Sequence, residues 1–220
     1  MPVINKIFNN RTIYPAAYTI PSHPYGKTID IRASVNSLSF IRFRKHKRMV
    51  ELLLEMTLQW TDPSLTWQPM LFRNQTRLTV PSSLLWFPDV GVLDLTTSPE
   101  QITPPLASVD YTGEITGTTL QRLTTGCDFS DPSQITCELR IGSRKYTKDR
   151  VVLDYKELED MDIKVGDSRY GSQFCNISNT FKYKEDQLHS YISTDIVFNF
   201  CQINDQRDQS FNNSIEALNI

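Results

Sequence analysis

Val50-Glu51-Leu52-Leu53-Leu54-Glu55-Met56-Thr57-Leu58-Gln59-Trp60 alternates with a period of two. The even positions Val50, Leu52, Leu54, Met56, Leu58 and Trp60 are all apolar. The odd positions Glu51, Glu55, Thr57 and Gln59 are polar, with Leu53 the exception. Successive side chains of an extended chain point to opposite sides, so this spacing predicts a long strand with one face in a core and the other in water. Upstream, Ile29-Asp30-Ile31-Arg32-Ala33-Ser34-Val35 alternates in the same way. Downstream, Cys137-Glu138-Leu139-Arg140-Ile141 does so briefly. Ile192, Ile196, Phe198 and Phe200 form another one-faced run, interrupted by Thr194. Turn-forming clusters such as Thr61-Asp62-Pro63-Ser64, Thr112-Gly113-Glu114 and Ser130-Asp131-Pro132-Ser133 separate these runs. Only the beginning has helical spacing, with Val3, Ile4, Ile7 and Phe8 on one side of a short turn or two. Many short strands with Pro, Asn and Asp turns predict an all-β antiparallel sandwich.

Composition fits that reading. The chain has 220 residues with 11 Phe, 9 Tyr and 3 Trp, enough apolar material for one substantial domain. We place that domain at residues 1–205, followed by a polar, aperiodic tail at 206–220. With 23 basic and 25 acidic residues the net charge is −2, which disfavours nucleic acid as a partner. No stretch approaches the ~18 uninterrupted apolar residues of a membrane span. The first residues, Met1-Pro2-Val3-Ile4-Asn5-Lys6, lack the apolar core of a signal peptide, so the chain reads as a mature secreted form with an added Met, or as cytosolic.

Cysteines and sequons favour the secreted reading. Cys127, Cys137, Cys175 and Cys201 are even in number and suit two disulfides, which the residues alone allow to pair in three ways. Asn10, Asn74, Asn176 and Asn212 each head an N-x-S/T triplet and are candidate glycosylation sites. His23, His46 and His189 are far apart in sequence and no C-x-x-C occurs, so no metal is expected. The acidic segment Glu157-Leu158-Glu159-Asp160-Met161-Asp162 lacks the spacing of a dedicated calcium loop and reads as a solvated loop. No nucleophile elbow, phosphate-binding loop or zinc-protease motif is present, so neither an enzyme nor a cofactor is expected. Arg42-Phe43-Arg44-Lys45-His46-Lys47-Arg48 gathers five firm positive charges just before the strand at Val50 and reads as a solvated basic turn.

Three segments in order carry a resemblance. Trp60-Thr61-Asp62-Pro63-Ser64-Leu65-Thr66-Trp67 resembles the W-x-D-x-x-L-x-W signature of Cys-loop receptor extracellular domains. Val80-Pro81-Ser82-Ser83-Leu84-Leu85-Trp86-Phe87-Pro88-Asp89 resembles their W-x-P-D segment with one extra residue, and Cys127 to Cys137 resembles their signature disulfide loop. Within that family the chain is most similar to the soluble acetylcholine-binding proteins. The resemblance implies an immunoglobulin-like ten-strand β-sandwich with a short N-terminal helix, secreted, assembled as a homopentameric ring, with small-molecule ligands bound between subunits. It also implies a Cys127–Cys137 bond, and Cys175 and Cys201 then fit opposite each other at the base of a hairpin centred near Leu188.

The family's pocket is a box of aromatic side chains that attracts an ammonium by cation–π interaction. Matched to that pattern, this chain departs from it. On the principal face, Leu93 stands where a Tyr is expected and Arg144 where a Trp is expected. Tyr191 matches the later tyrosine of the third loop by its nine-residue spacing to Phe200 and Tyr183 lies near the earlier one, but polar residues around Asp186-Gln187 replace the loop's adjacent cysteines. On the complementary face, Glu55 replaces a Trp, and Thr116 and Thr118 stand where apolar contacts usually lie. Each lost cation–π contact forfeits roughly 0.5–2 kcal/mol, so the expected ligand is not acetylcholine. Two readings of Arg144 stay open: it accepts a carboxylate or sulfonate from an anionic or amphiphilic ligand, or it pairs with Glu55 across the interface and closes the pocket. The wider alternatives are the extracellular domain of a Cys-loop channel and a structural or adhesive sandwich with a vestigial pocket.

Overall fold

A computed structural model describes residues 20–21, 28–154, 174–185 and 188–200. The strand expected from Val50 to Trp60 is β2 (Met49–Thr61), and its even side chains are all buried. It sits between β1 (Ile29–Arg44) and β7 (Glu114–Gly126), antiparallel to both. The same sheet continues through β6 (Leu106–Asp110) to β3 (Arg77–Pro81), while the two-residue β5 (Glu100–Gln101) also pairs with β7. The second sheet runs from β10 (Phe174–Glu185) through β11 (Ser190–Phe200) and β8 (Gln134–Ser143) to β4 (Val90–Val92). The all-β sandwich is therefore as expected.

Between the sheets lies one apolar core. Leu38 and Phe40 of β1 meet Leu52, Leu54 and Met56 of β2, and the Phe40 ring lies 5.4 Å from that of Phe198 on β11. Burying each such side chain contributes at most about 1.5–3 kcal/mol. At one end, Trp60 packs edge-on against Trp86 and Phe87, with ring centroids 6.3 and 5.3 Å away. The turn beside them requires glycine: Gly113 has φ of +86°, and a Cβ there would lie 2.5 Å from the Asp62 carbonyl oxygen.

Four details depart from the sequence reading. Eleven strands rather than ten are formed among the described residues, several of them very short. The sandwich is also not wholly antiparallel. β9 (Val151–Asp154) runs parallel to β1 from the Ile29–Val151 pair to the Arg32–Asp154 pair; the two strands are far apart in sequence and are not joined by a hairpin, so nothing forces them antiparallel. Thr194 does not interrupt the inner face of β11; it is buried within it. Glu51, on the polar side of the alternation, is only 8% exposed, because Arg42, Arg44 and Arg122 cover it. Two of the basic-turn arginines thus pair with a carboxylate while staying about half exposed. The expected N-terminal helix, Asn10, Asn212, Cys201, the acidic segment 157–162 and the tail at 206–220 lie outside the described residues, as do the side chains of Cys175 and Asn176.

Candidate functional site

Leu93, Arg144 and Tyr191 gather at one end of the four-stranded sheet. Inward-facing Cys137, Leu139 and Ile141 are buried, which leaves Glu138, Arg140 and Gly142 on the outer face of β8. Arg144 follows as that strand ends. Its loop is clamped by Asp89: one carboxylate oxygen accepts the Ser143 hydroxyl at 2.6 Å, and the other accepts the backbone N–H groups of Arg144 at 2.9 Å and Lys145 at 2.6 Å. The Arg144 guanidinium donates from Nη2 to the Val92 carbonyl oxygen at 2.6 Å. Among the described residues it forms no ion pair, and the residue is exposed.

Leu93 and Tyr191 meet over Gly142. A Cβ on that glycine would lie 3.1 Å from Leu93 Cδ1 and 3.2 Å from Tyr191 Cβ. Leu93 is held there by its N–H, which donates to the Arg140 carbonyl at 2.7 Å. Sequence reasoning missed the two charged residues beside them. Arg140 is bidentate to Asp94, and its guanidinium lies 5.9 Å from the centre of the Tyr191 ring. The Asp94 carboxylate raises the Arg140 pKa further above its already high ordinary value, so the cation is permanent. The β8 alternation already marked Arg140 as outward-facing, four residues before Arg144. Asp94 carried no signal beyond its adjacency to Leu93.

Tyr183 does not join Tyr191. It lies opposite Ile192 on the hairpin, whereas Lys184 lies opposite Tyr191, so the two tyrosines project from opposite sides of the ribbon. The Tyr183 hydroxyl bonds instead to Glu185.

On the seven-stranded sheet, Glu55, Thr116 and Thr118 share the outward face. Glu55 pairs with Leu120, Thr57 with Thr118 and Gln59 with Thr116 across β2 and β7. Glu55 accepts the Ser37 hydroxyl at 3.1 Å, and Asn36 donates to the Thr57 hydroxyl at 2.8 Å. Apart from Leu53 and Leu120 this face is polar at its middle, with no aromatic ring at those positions. Arg144 and Glu55 thus belong to different sheets of one chain.

The Cys127–Cys137 bond is formed, with the Cα atoms 4.4 Å apart, and it closes the loop between β7 and β8. Asn74 stands exposed in a turn with φ of +59°. The remaining Asn and Cys candidates have no described side chains. No helix among the described residues is long and apolar enough to cross a membrane.

Comparison with known proteins agrees with this layout. Residues 3–203 match the neurotransmitter-gated ion-channel ligand binding domain. The proton-gated ion channel subunit pbo-6 of Caenorhabditis elegans is 28% identical over 141 residues, covering 60% of this chain and 33% of the relative. The neuronal acetylcholine receptor subunit alpha-2 of Rattus norvegicus is 23% identical over 187 residues, covering 81% of this chain and 36% of the relative. The human 5-hydroxytryptamine receptor 3E is 24% identical over 162 residues, covering 70% and 33%. The chain spans about a third of the length of these relatives. With nearly its whole length matched, a two-sheet β-sandwich and the Cys127–Cys137 loop in place, the chain belongs to the neurotransmitter-gated ion-channel ligand-binding domain family.

Proposed function

We propose that this chain is a secreted, homopentameric ligand-binding protein similar to acetylcholine-binding protein, whose intersubunit pocket takes an anionic or amphiphilic small molecule instead of acetylcholine. The observation that carries this reading is the Arg144 guanidinium, exposed and without a carboxylate partner among the described residues, beside Leu93. A second cation, Arg140, already lies over the Tyr191 ring that an ammonium would need. The Arg144 guanidinium repels an ammonium, whereas its planar fork of donors matches a carboxylate or sulfonate. Family membership supports the ring and its binding sites between subunits. In that ring, Glu55, Thr116 and Thr118 of one subunit face the Arg144 side of the next. Asn10, Asn74, Asn176 and Asn212 carry glycans in the secreted form.

Sedimentation of the purified chain tests the assembly. A particle of about five chain masses is expected, and a monomer contradicts it. Thermal-shift titration with aromatic carboxylates and sulfonates tests the ligand class, because a ligand specific to the folded state raises the melting temperature. Stabilisation that Arg144→Ala abolishes supports the pocket. Silence toward every anion, in a pentamer, favours the sealed Arg144–Glu55 interface and a structural role.

A second reading is the ligand-binding domain of a channel, favoured by relatives that are channel or receptor subunits. The mass of the polypeptide isolated from its native source separates the two readings.

A further inference from the structure

A second charged site lies at the β1–β2 turn end of the seven-stranded sheet. There an open cleft of about 430 Å³ is lined by Arg42, Arg44, Lys47, Glu51, Glu100 and Arg122. Four cations less two carboxylates leave a surplus of two positive charges. Glu51 takes Arg42 at 2.5 Å, with Arg122 at 3.6 Å and Arg44 at 3.7 Å; Arg122 also reaches Glu100 at 3.1 Å. Only two of those four contacts are at hydrogen-bond length. Each guanidinium has about five N–H donors, so most donor capacity in the cleft is unused by its own carboxylates. One arginine is enough to pair Glu51. With Glu100 pairing Arg122, the charges of Arg44 and Lys47 stay uncompensated and repel their neighbours unless another anion joins them.

We propose that this cleft binds a phosphate monoester, which carries about two negative charges, at a site separate from the Arg144 pocket. Arg44, Lys47 and Arg122 supply the charge and the donors, and the Thr124 side chain lines the same cleft. Glu51 stays in place as the carboxylate that fixes the guanidinium planes. Glu55 lies four residues further along the same face of β2, about 13 Å away at ~3.3 Å per residue, so the two sites do not merge.

The test is calorimetric titration of the whole chain with inorganic phosphate and with sulfate, at ionic strength held constant with chloride. Saturable binding is expected. It weakens at least tenfold in an Arg44→Gln/Lys47→Gln variant, strengthens severalfold in Glu100→Gln, which removes a negative charge, and is unchanged in Arg73→Gln. Sedimentation with phosphatidylcholine vesicles, with and without phosphatidic acid, whose headgroup is a phosphate monoester, identifies the source of the group. Retention on the anionic vesicles alone, lost in the double variant, assigns the site to a lipid headgroup; binding of free phosphate with no retention assigns it to a soluble ester. The proposal is overturned by the absence of both, or by binding that the double variant leaves intact. A phosphate response lost in Arg144→Ala and kept in the double variant would also overturn it, since the anion would then sit in the intersubunit pocket.

Discussion

Asp89 holds Arg144 by its backbone: the carboxylate accepts the Arg144 N–H at 2.9 Å and, through the same oxygen, that of Lys145 at 2.6 Å. With the Ser143 hydroxyl on the other oxygen, three donors converge on one half-buried carboxylate. The segment that presents Arg144 is therefore fixed before any ligand arrives. Charge-assisted bonds of this kind contribute about 1.5–3 kcal/mol in favourable cases, less where water competes. Asp89→Ala is expected to lower unfolding free energy by about 2–3 kcal/mol in urea, and Asp89→Asn, which keeps one acceptor oxygen, by about half that. An Asp89→Ala unfolding curve that overlays the wild type contradicts the clamp.

Glu51 is buried beneath three arginines that are themselves 41–50% exposed. Removing the carboxylate leaves like charges facing one another, but solvent screens them, which brings the cost well below that of breaking a fully buried pair. Glu51→Ala is expected to destabilise by about 1–2 kcal/mol in low salt, with a smaller deficit in high salt. Urea unfolding at the two salt concentrations measures both. A deficit that does not change with salt assigns the effect to packing.

The disulfide loop carries its own pH dependence. The Ser130 N–H, and then its hydroxyl, hold the Asp128 carboxyl below the ordinary value of 3.8. The Ser133 hydroxyl, and then its N–H, do the same for Asp131. Both groups have folded pKa values below their unfolded ones, so their contribution to loop order is complete above 3.8 and is lost as pH falls through the lowered folded values. Carboxyl-carbon NMR titration is expected to give midpoints below 3.8 for both. Midpoints at or above that value contradict these turn hydrogen bonds.

Cys127 and Cys137 are bonded, and a Cys175–Cys201 bond is the proposed second staple. The β10–β11 register shifts between Phe174 and Asn176, at Cys175, and Cys201 lies outside the described residues. Peptide mapping without reduction is expected to recover both linked pairs. Alkylation of Cys175 or Cys201 in the unreduced protein contradicts the second. Removing either bond is expected to cost about 2–4 kcal/mol.

The phase of β2 was legible because every even position from Val50 to Trp60 is apolar, and a slip of one residue would turn all of them to water. The continuation of β1 was not. Its register shifts between Val35 and Ser37 and again between Phe40 and Arg42, and the first of these bulges moves the buried side from Val35 to Leu38 and Phe40. Glu51 read as a surface residue because its cover comes from β1 and from the distant Arg122 of β7, which local spacing does not reveal. Arg144 was found by counting from Cys137. Its clamp by Asp89 and the Arg140–Asp94 pair were not, since each joins residues about fifty positions apart. Tyr183 lay near the family's earlier tyrosine without matching it, and the hairpin register places it one residue away from the site opposite Tyr191.

The central claim, that Arg144 turned an ammonium pocket into an anion pocket, is tested most directly by calorimetry on the pentamer. Wild type and Arg144→Trp are each titrated with a quaternary ammonium and with an aromatic sulfonate. The account expects wild type to bind the sulfonate and ignore the ammonium. Arg144→Trp should lose the sulfonate by tenfold or more and gain measurable ammonium affinity, at roughly 0.5–2 kcal/mol for the restored cation–π contact. Wild-type binding of the ammonium that Arg144→Trp fails to strengthen would contradict it.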